Sequence, residues 1–479
     1  MLEKIISQAK NDFPVHLERL QRYIRQPSVS STRTGIDEMV AMLSAELTQL
    51  GGVTKIVKSD EFPIVYSCID SGAQRTVLIH SMYDTVEADE PNWVAPPFSA
   101  TRMNYQDAGE CIIGRGAEDT KGPTTAILNM IAAHRAANVR LPVNLILVFE
   151  ASELGSGGLP DFVKTHQQEL RKADVAYWPW CSQRANGNTV AWLGSKGLMT
   201  FKMRSTGGDW GGPHSNDLHS SNASWIASPG HRLVQALASM RTADDLDVAI
   251  DGFYDGRQEP TQEDLRLIGE LAKRFDAKGF LSQMGVARFK QDTLEDALKA
   301  SLYTSAFNLS GLKVGNVIEG GHNTVMPRTA VASMDLRLLE GMNIDNVVRS
   351  MRRHLDSHGF QDISLEITNA YLGGRTPPES WAAKELVSAY RDMGFDPEVW
   401  PVAPVAIASS LFTDLGMPWV ATCPGQASGK HSANEYIRVE GYKSSIEFII
   451  RLMWRFSSAS AAEKSESSSS QSGGQRNVE

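Results

Sequence analysis

The run Gly114-Arg115-Gly116-Ala117-Glu118-Asp119-Thr120-Lys121-Gly122 places one carboxylate, Asp119, on a glycine-rich turn between a strand-like stretch and a helix. Two kinds of chemistry suit it. Asp119 can bind or bridge a metal ion, or it can cap the helix that begins just after it. Other groups of suitable type fall at the ends of expected strands: His80 with Asp84, Glu150 with Glu153, and His431. Singly, each also has a structural reading. Glu153 suits a surface loop, and His80 and His431 suit satisfied structural histidines. Together they suit a divalent cation such as zinc. Open α/β sheets bind ligands beyond the carboxyl ends of their strands, and carboxylates with imidazoles are the donors such an ion takes. Glu87 and Glu118 are further carboxylates nearby, with no role assigned.

The elements that must position these groups alternate in type. Helices are expected over 2–26 and 35–50, the second stopped by Gly51-Gly52. Strands follow at 53–57, 64–69 and 76–80. A helix over 121–136 and a continuous apolar run over 143–150 complete an α/β pattern with a buried central strand. The style changes near Leu193–Gly197. A strand over 199–205, a histidine-bearing loop over 207–221, a helix over 231–240 and a charged helical insertion over 244–300 follow. Strands over 305–310, 330–338 and 363–367 and a helix over 344–358 make a second, α+β unit. The α/β style resumes with helices near 379–393 and 406–415, a strand over 418–422 and a last helix over 442–456. The expected fold is therefore a discontinuous catalytic α/β/α domain, 1–197 and 373–456, with an inserted α+β lid or dimerisation domain over 198–372. Residues 457–479 are Ser-rich and expected to be disordered.

Composition narrows the class. The chain has 479 residues, 42% of them hydrophobic and 22% charged, which suits two or three globular domains with a sizeable core. A net charge of -9 argues against nucleic acid as partner. The four cysteines, Cys68, Cys111, Cys181 and Cys423, form no CxxC pair, which fits a reducing compartment. Residues 1–10 lack the apolar segment of a secretory signal, and no run of about 18 apolar residues exists, so no membrane span is expected and the expected location is cytoplasmic.

Several motifs in order, GRGAEDTKGP (114–123), FEASELGS (149–156), LGSKGL (193–198), DLHSS (217–221) and GKHSANEYI (429–437), resemble a known family. It is the metallopeptidase and deacylase family of carnosinase, aminoacylase, acetylornithine deacetylase and succinyl-diaminopimelate desuccinylase. RLVQALASM (232–240) and IDGFYDG (250–256) look most like its carnosinase-type dipeptidase branch. The likeness spans nearly the whole chain except the Ser-rich tail. It implies a metal-dependent amidohydrolase acting on a small amide, dipeptide or N-acyl amino acid, and a homodimer. By position, Asp119 matches a metal-bridging aspartate, and Glu153 and His431 match the other ligands of the first metal. His219 matches a histidine that reaches a partner's site and stabilises the oxyanion. Arg337 matches an arginine that holds a substrate carboxylate, with Asn323 and Thr324 in the matching lid loop. His214, in the loop of His219, is expected at the surface.

Four departures from that family are expected to matter. In VLIHSMYDTVEAD (77–89), Met82 stands where the resemblance expects a histidine ligand of a second metal, which leaves Asp84 without the histidine it would orient. His80, two residues earlier and so on the same strand face, is a candidate substitute. In AYWPWCSQRANGN (176–188), Trp180 or Cys181 stands where an aspartate is expected. Cys181 can bind metal as a thiolate, but a buried structural cysteine is the better reading. Ser152 precedes Glu153 where the family carries its catalytic glutamate, and a serine is no general base near pH 7. Glu150 is the nearest alternative. VAPVAIASS (402–410) replaces a Gly-Gly-Ser substrate loop. The expectation is one divalent ion per chain, zinc by donor type, and weakened hydrolysis. Acyl transfer, amide-bond formation, a lyase step or a non-catalytic binding role on the same scaffold are the alternatives.

Overall fold

A computed structural model describes residues 1–151, 158–184, 186–316 and 323–459. The chain divides into two compact units. The first comprises Met1–Gly194, Arg375–Pro401 and the described residues from Ser410 on; the second comprises Ser195–Gly374 and Val402–Ser409.

The first unit is built on one sheet. Its order is Val53–Val57, Ile64–Ile69, Asn144–Glu150, Thr76–Met82, Val175–Gln183, Trp419–Ser428, Tyr436–Arg438, Glu110–Ile113, Thr101–Asn104. The four central strands, from Asn144–Glu150 to Trp419–Ser428, are parallel neighbours. They are buried almost end to end, as their continuous apolar runs require. The helix Lys121–Ala136 packs against Val439–Ser458 and against the helices at the N-terminus. Parallel pairing puts Met82 beside Glu150 at the strands' carboxyl ends. The polar ends of otherwise apolar strands thus arrive together.

Several elements differ from expectation, each for a local reason. The N-terminal helix is two, Leu2–Asn11 and Phe13–Arg25. Pro14 lacks an N–H and sits in the first turn of the second, where none is needed. The Thr76–Met82 strand runs two residues past His80. The last helix begins at Val439 and reaches Ser458, so residues 457 and 458 are helical rather than tail; the tail from 460 lies outside the described residues. In place of a helix over 406–415 there is a strand, Ala403–Ala406, and one helical turn, Ser410–Thr413. That strand pairs in parallel with Ser195–Thr206, so Val402–Ser409 groups with the second unit rather than the first.

In the second unit, Phe307–Val314, Thr329–Leu338, Ser195–Thr206 and Ser364–Tyr371 form an antiparallel sheet in that order. Burial alternates residue by residue along Thr329–Leu338. Its inward face packs on the helices Pro229–Ser239 and Ile344–Ser357 through Met199, Phe201, Leu233, Met334, Met351 and Leu355. The charged insertion forms helices Gln262–Arg274, Ala277–Met284 and Leu294–Tyr303. Among the described residues, no helix is long and apolar enough to cross a membrane.

Candidate metal centre

The strand Glu110–Ile113 delivers the chain into the glycine-rich turn, and the helix Lys121–Ala136 takes it out. Gly116 adopts φ +91°, a left-handed conformation that glycine reaches without strain. Gly122 is needed for a different reason: a Cβ there would lie 2.3 Å from the Ala117 carbonyl oxygen. Gly122→Ala is therefore expected to cost about 2 kcal/mol through overpacking. A thermal melt checks this; an unchanged midpoint contradicts the close packing.

The turn is held by a residue far along the chain. Glu435 is fully buried, and its carboxylate accepts the backbone N–H groups of Gly116 (3.0 Å), Glu118 (2.8 Å) and Asp119 (2.9 Å). Arg115 Nη1 donates to it at 2.9 Å, and Arg115 also binds Glu90 and the carbonyls of Glu87 and Ser432. Glu435 and Arg115 lie within the motifs GKHSANEYI and GRGAEDTKGP, where residue type alone assigns them no role. The signal for them in the sequence is an acidic residue four positions after His431 and a basic one inside the turn.

Asp119 does not cap the helix. The capping position is Thr120, and no side chain caps there. Thr120 Oγ1 donates instead to the Met82 carbonyl at 3.0 Å. Asp119 is buried, its Oδ1 has no hydrogen-bond partner among the described residues, and its Oδ2 lies 3.5 Å from Nε2 of the half-exposed His431. A buried carboxylate oxygen without a donor is costly. Two further buried carboxyls, Glu118 and Glu435, stand beside it. Burial pushes the neighbouring Glu118 carboxyl up to about 8, with Lys430 pulling the other way and Glu435 and Asp119 adding to the rise. A divalent cation satisfies such an oxygen, and carboxylate with imidazole is a donor pair zinc accepts. Asp119 and His431 therefore fit a metal. Glu153, the third expected ligand, lies outside the described residues, as does Ser152. Among the described residues no group of three His, Cys, Asp or Glu side chains is arranged to hold an ion.

The other strand ends are differently occupied. His80 Nε2 lies 2.7 Å from Glu150 Oε1, with both residues buried. The rings of Trp178 and Phe412 stand 6.0 and 5.2 Å from the imidazole. His80 is thus engaged by Glu150 through Nε2, while its buried Nδ1 and Glu150 Oε2 have no hydrogen-bond partner among the described residues. Glu150 in turn is a buried partner of His80. Met82 and Asp84 are buried. Trp180 packs edge-on against Trp178 and Trp192, and the Lys430 ammonium lies 4.3 Å from its ring. Cys181 is buried 3.8 Å from Cys423 and 3.4 Å from Ser445 Oγ, a core position. Glu87 Oε1 accepts from Ser31 at the surface.

His219, Arg337, Asn323 and Thr324 all belong to the second unit. The short ladder Leu218–His219 with Val325–Met326 brings His219 beside the 323–324 segment, and Ser220 N–H donates to the Thr324 carbonyl at 2.8 Å. Asn323 Nδ2 reaches the Asn316 carbonyl at 3.5 Å. His219 is exposed. Its Nδ1 accepts the Ser221 N–H at 3.2 Å, which leaves the ring proton on Nε2, available to an incoming oxygen. His214 is exposed and bonded to Ser215. Arg337 is half-buried, 4.0 Å from Asp335, and lines an open cavity of about 450 Å³ with Thr200, Lys202, Ser310 and Thr368.

A sequence model of Peptidase family M20/M25/M40 matches residues 78–455. The chain is 27% identical over 472 residues to the Cys-Gly metallodipeptidase DUG1 of Candida albicans, covering 90% of this chain and 92% of that protein. It is 24% identical over 413 residues to the Beta-Ala-His dipeptidase of Homo sapiens, covering 81% and 77% respectively. Among solved structures, the M20 family metallo-carboxypeptidase Sso-CP2 of Sulfolobus solfataricus aligns with a TM-score of 0.84 at 28% identity, covering 92% of this chain and 99% of that one.

Proposed function

Since the chain belongs to Peptidase family M20/M25/M40, we propose that it is a metal-dependent dipeptidase-like amidohydrolase with one metal site kept and the second altered. The observation that carries this reading is the buried Asp119 carboxylate, with Oδ1 unpartnered among the described residues and His431 Nε2 3.5 Å from Oδ2. Asp119, His431 and Glu153 would hold the ion, and zinc suits these donors. A bound divalent ion supplies Lewis-acid polarisation of the scissile carbonyl and a more acidic water.

The chain's own residues supply the rest. His219 Nε2–H donates to the oxygen on which negative charge develops. Arg337 holds the substrate carboxylate by its planar fork, with Asn323 and Thr324 beside His219 orienting the peptide. Met82 and Trp180 leave the second set of ligands incomplete. With Ser152 at the base position and Glu150 hydrogen-bonded to His80, proton removal from water is slow. Cys-Gly and β-Ala-His, the dipeptides in the names of two relatives, are the first substrates to try. Turnover of either, lost with a chelator and restored by Zn²⁺, is the expected result; a pure, folded protein inert toward a dipeptide panel with Zn²⁺ present overturns the reading.

The active form is a homodimer in a reducing, cytoplasmic setting. The exposed apolar side chains of Trp225 and Val325 flank His219 in sequence and in its ladder, and the edge strand Phe307–Val314 exposes Leu309 and Leu312. A second copy covering these groups fits a histidine that works across the interface. Leu309→Glu with Leu312→Glu is expected to raise the dimer dissociation constant on the order of 30-fold. Light scattering across a concentration series reads this; a monomeric wild type contradicts it.

A further inference from the structure

We propose that Glu435 is a positioning residue of the metal centre, one that holds Asp119 and His431 in register without touching the ion. The inference rests on the metal-binding reading above and goes beyond the ligands themselves. Both carboxylate oxygens of Glu435 are already engaged. Oε1 accepts the N–H groups of Glu118 and Asp119, and Oε2 accepts the Gly116 N–H and Arg115 Nη1. The backbone of Glu435 joins the same lock, its carbonyl accepting the Gly114 N–H at 2.9 Å. Glu435 is therefore not a ligand held in reserve. It is a fully buried acceptor whose partners are the backbone of the turn that carries Asp119.

The same carboxylate governs the loop that carries His431. His431 stands in a left-handed conformation, φ 56°, between Gly429 at φ 89° and the Glu435 anchor. Ser432 N–H closes this loop onto the Gly429 carbonyl at 3.0 Å. Arg115 reaches from the turn to the Ser432 carbonyl at 3.2 Å while its Nη1 also binds Glu435. One ion pair thus ties residues 114–119 to residues 432–435 at both ends. A ligand pair drawn from two loops binds tightly only if the loops are fixed before the ion arrives, and outer groups that orient ligands commonly change metal affinity about 10–100-fold when removed.

Glutamine cannot replace this group. Its single amide oxygen can serve one side of the turn, while its NH₂ meets donors on the other, either the Gly116 N–H and Arg115 or the N–H groups of Glu118 and Asp119. The test is Zn²⁺ affinity by chelator competition on the full-length protein, well below its melting temperature, with circular dichroism to confirm folding. Glu435→Gln is expected to weaken Zn²⁺ binding about 10–100-fold, and saturating Zn²⁺ to bring kcat back toward wild type. A purely structural role would lower the melting temperature and leave the affinity of the folded fraction unchanged. Folded Glu435→Gln with wild-type Zn²⁺ affinity overturns the proposal. If that variant does not fold, Arg115→Gln is measured the same way: about 10-fold weaker binding supports the lock, and unchanged binding overturns it. A wild type that binds no Zn²⁺ sinks the metal-site reading itself, and is distinguishable from these outcomes.

Discussion

Replacing Asp119 by asparagine is expected to lower dipeptide hydrolysis about 10³-fold, the rate equivalent of about 4 kcal/mol, and to leave the metal-free protein at least as stable as wild type. The two halves of this result have one cause. Without an ion, Asp119 is a buried carboxylate whose Oδ1 has no donor among the described residues, set beside the buried carboxyls of Glu118 and Glu435. That arrangement is unfavourable for folding and favourable for capturing a cation. Asparagine removes the donorless carboxylate oxygen, and takes away the ligand with it. A buried carboxylate oxygen without a donor is costly enough that the metal-free variant should gain about 1 kcal/mol. Rates on a dipeptide panel with added Zn²⁺, together with calorimetry of the metal-free proteins, read both halves. A variant that melts lower and hydrolyses normally would make Asp119 a structural residue and nothing more.

His80→Ala is expected to do the opposite, costing about 3–5 kcal/mol of stability while Zn²⁺ affinity stays where it was. His80 and Glu150 lie 2.7 Å apart in a buried setting walled by Trp178 and Phe412. Removing the imidazole leaves Glu150 Oε1 without the partner it has, inside an apolar wall. Replacing both together, His80→Leu with Glu150→Met, removes the stranded group as well and should cost clearly less than the single change. Denaturant unfolding of the three variants gives the order. A loss of Zn²⁺ affinity in His80→Ala at unchanged stability would restore His80 to the role of metal ligand.

The pattern of elements was readable because buried parallel strands leave continuous apolar runs, as in Asn144–Glu150 and Val175–Gln183. The alternating face of Thr329–Leu338 was equally plain. What escaped were short strands that carry little pattern of their own. Glu110–Ile113 and Tyr436–Arg438 exist because they pair with each other, and Ala403–Ala406 because it pairs with Ser195–Thr206. The candidate site divides in the same way. Asp119 and His431 stood out through residue type and motif, and the fold brings them within 3.5 Å. The role of Glu435 did not, because the N–H of Asp119 that it binds lies 316 positions away and belongs to the backbone, which carries no side-chain signature. The His80–Glu150 pair was hidden for a related reason. Two residues on neighbouring strands meet only once strand register is known, and in isolation each resembled a catalytic group.

The central claim is that this chain keeps one metal site and has lost the second. Elemental analysis of the purified protein, after exposure to excess Zn²⁺ and removal of loosely bound ion, tests it most directly. The account predicts about one tightly bound ion per chain, lost on Asp119→Asn and on His431→Ala and retained on His80→Ala and Met82→Ala. Two tightly bound ions per chain, one of them lost on His80→Ala, would contradict it.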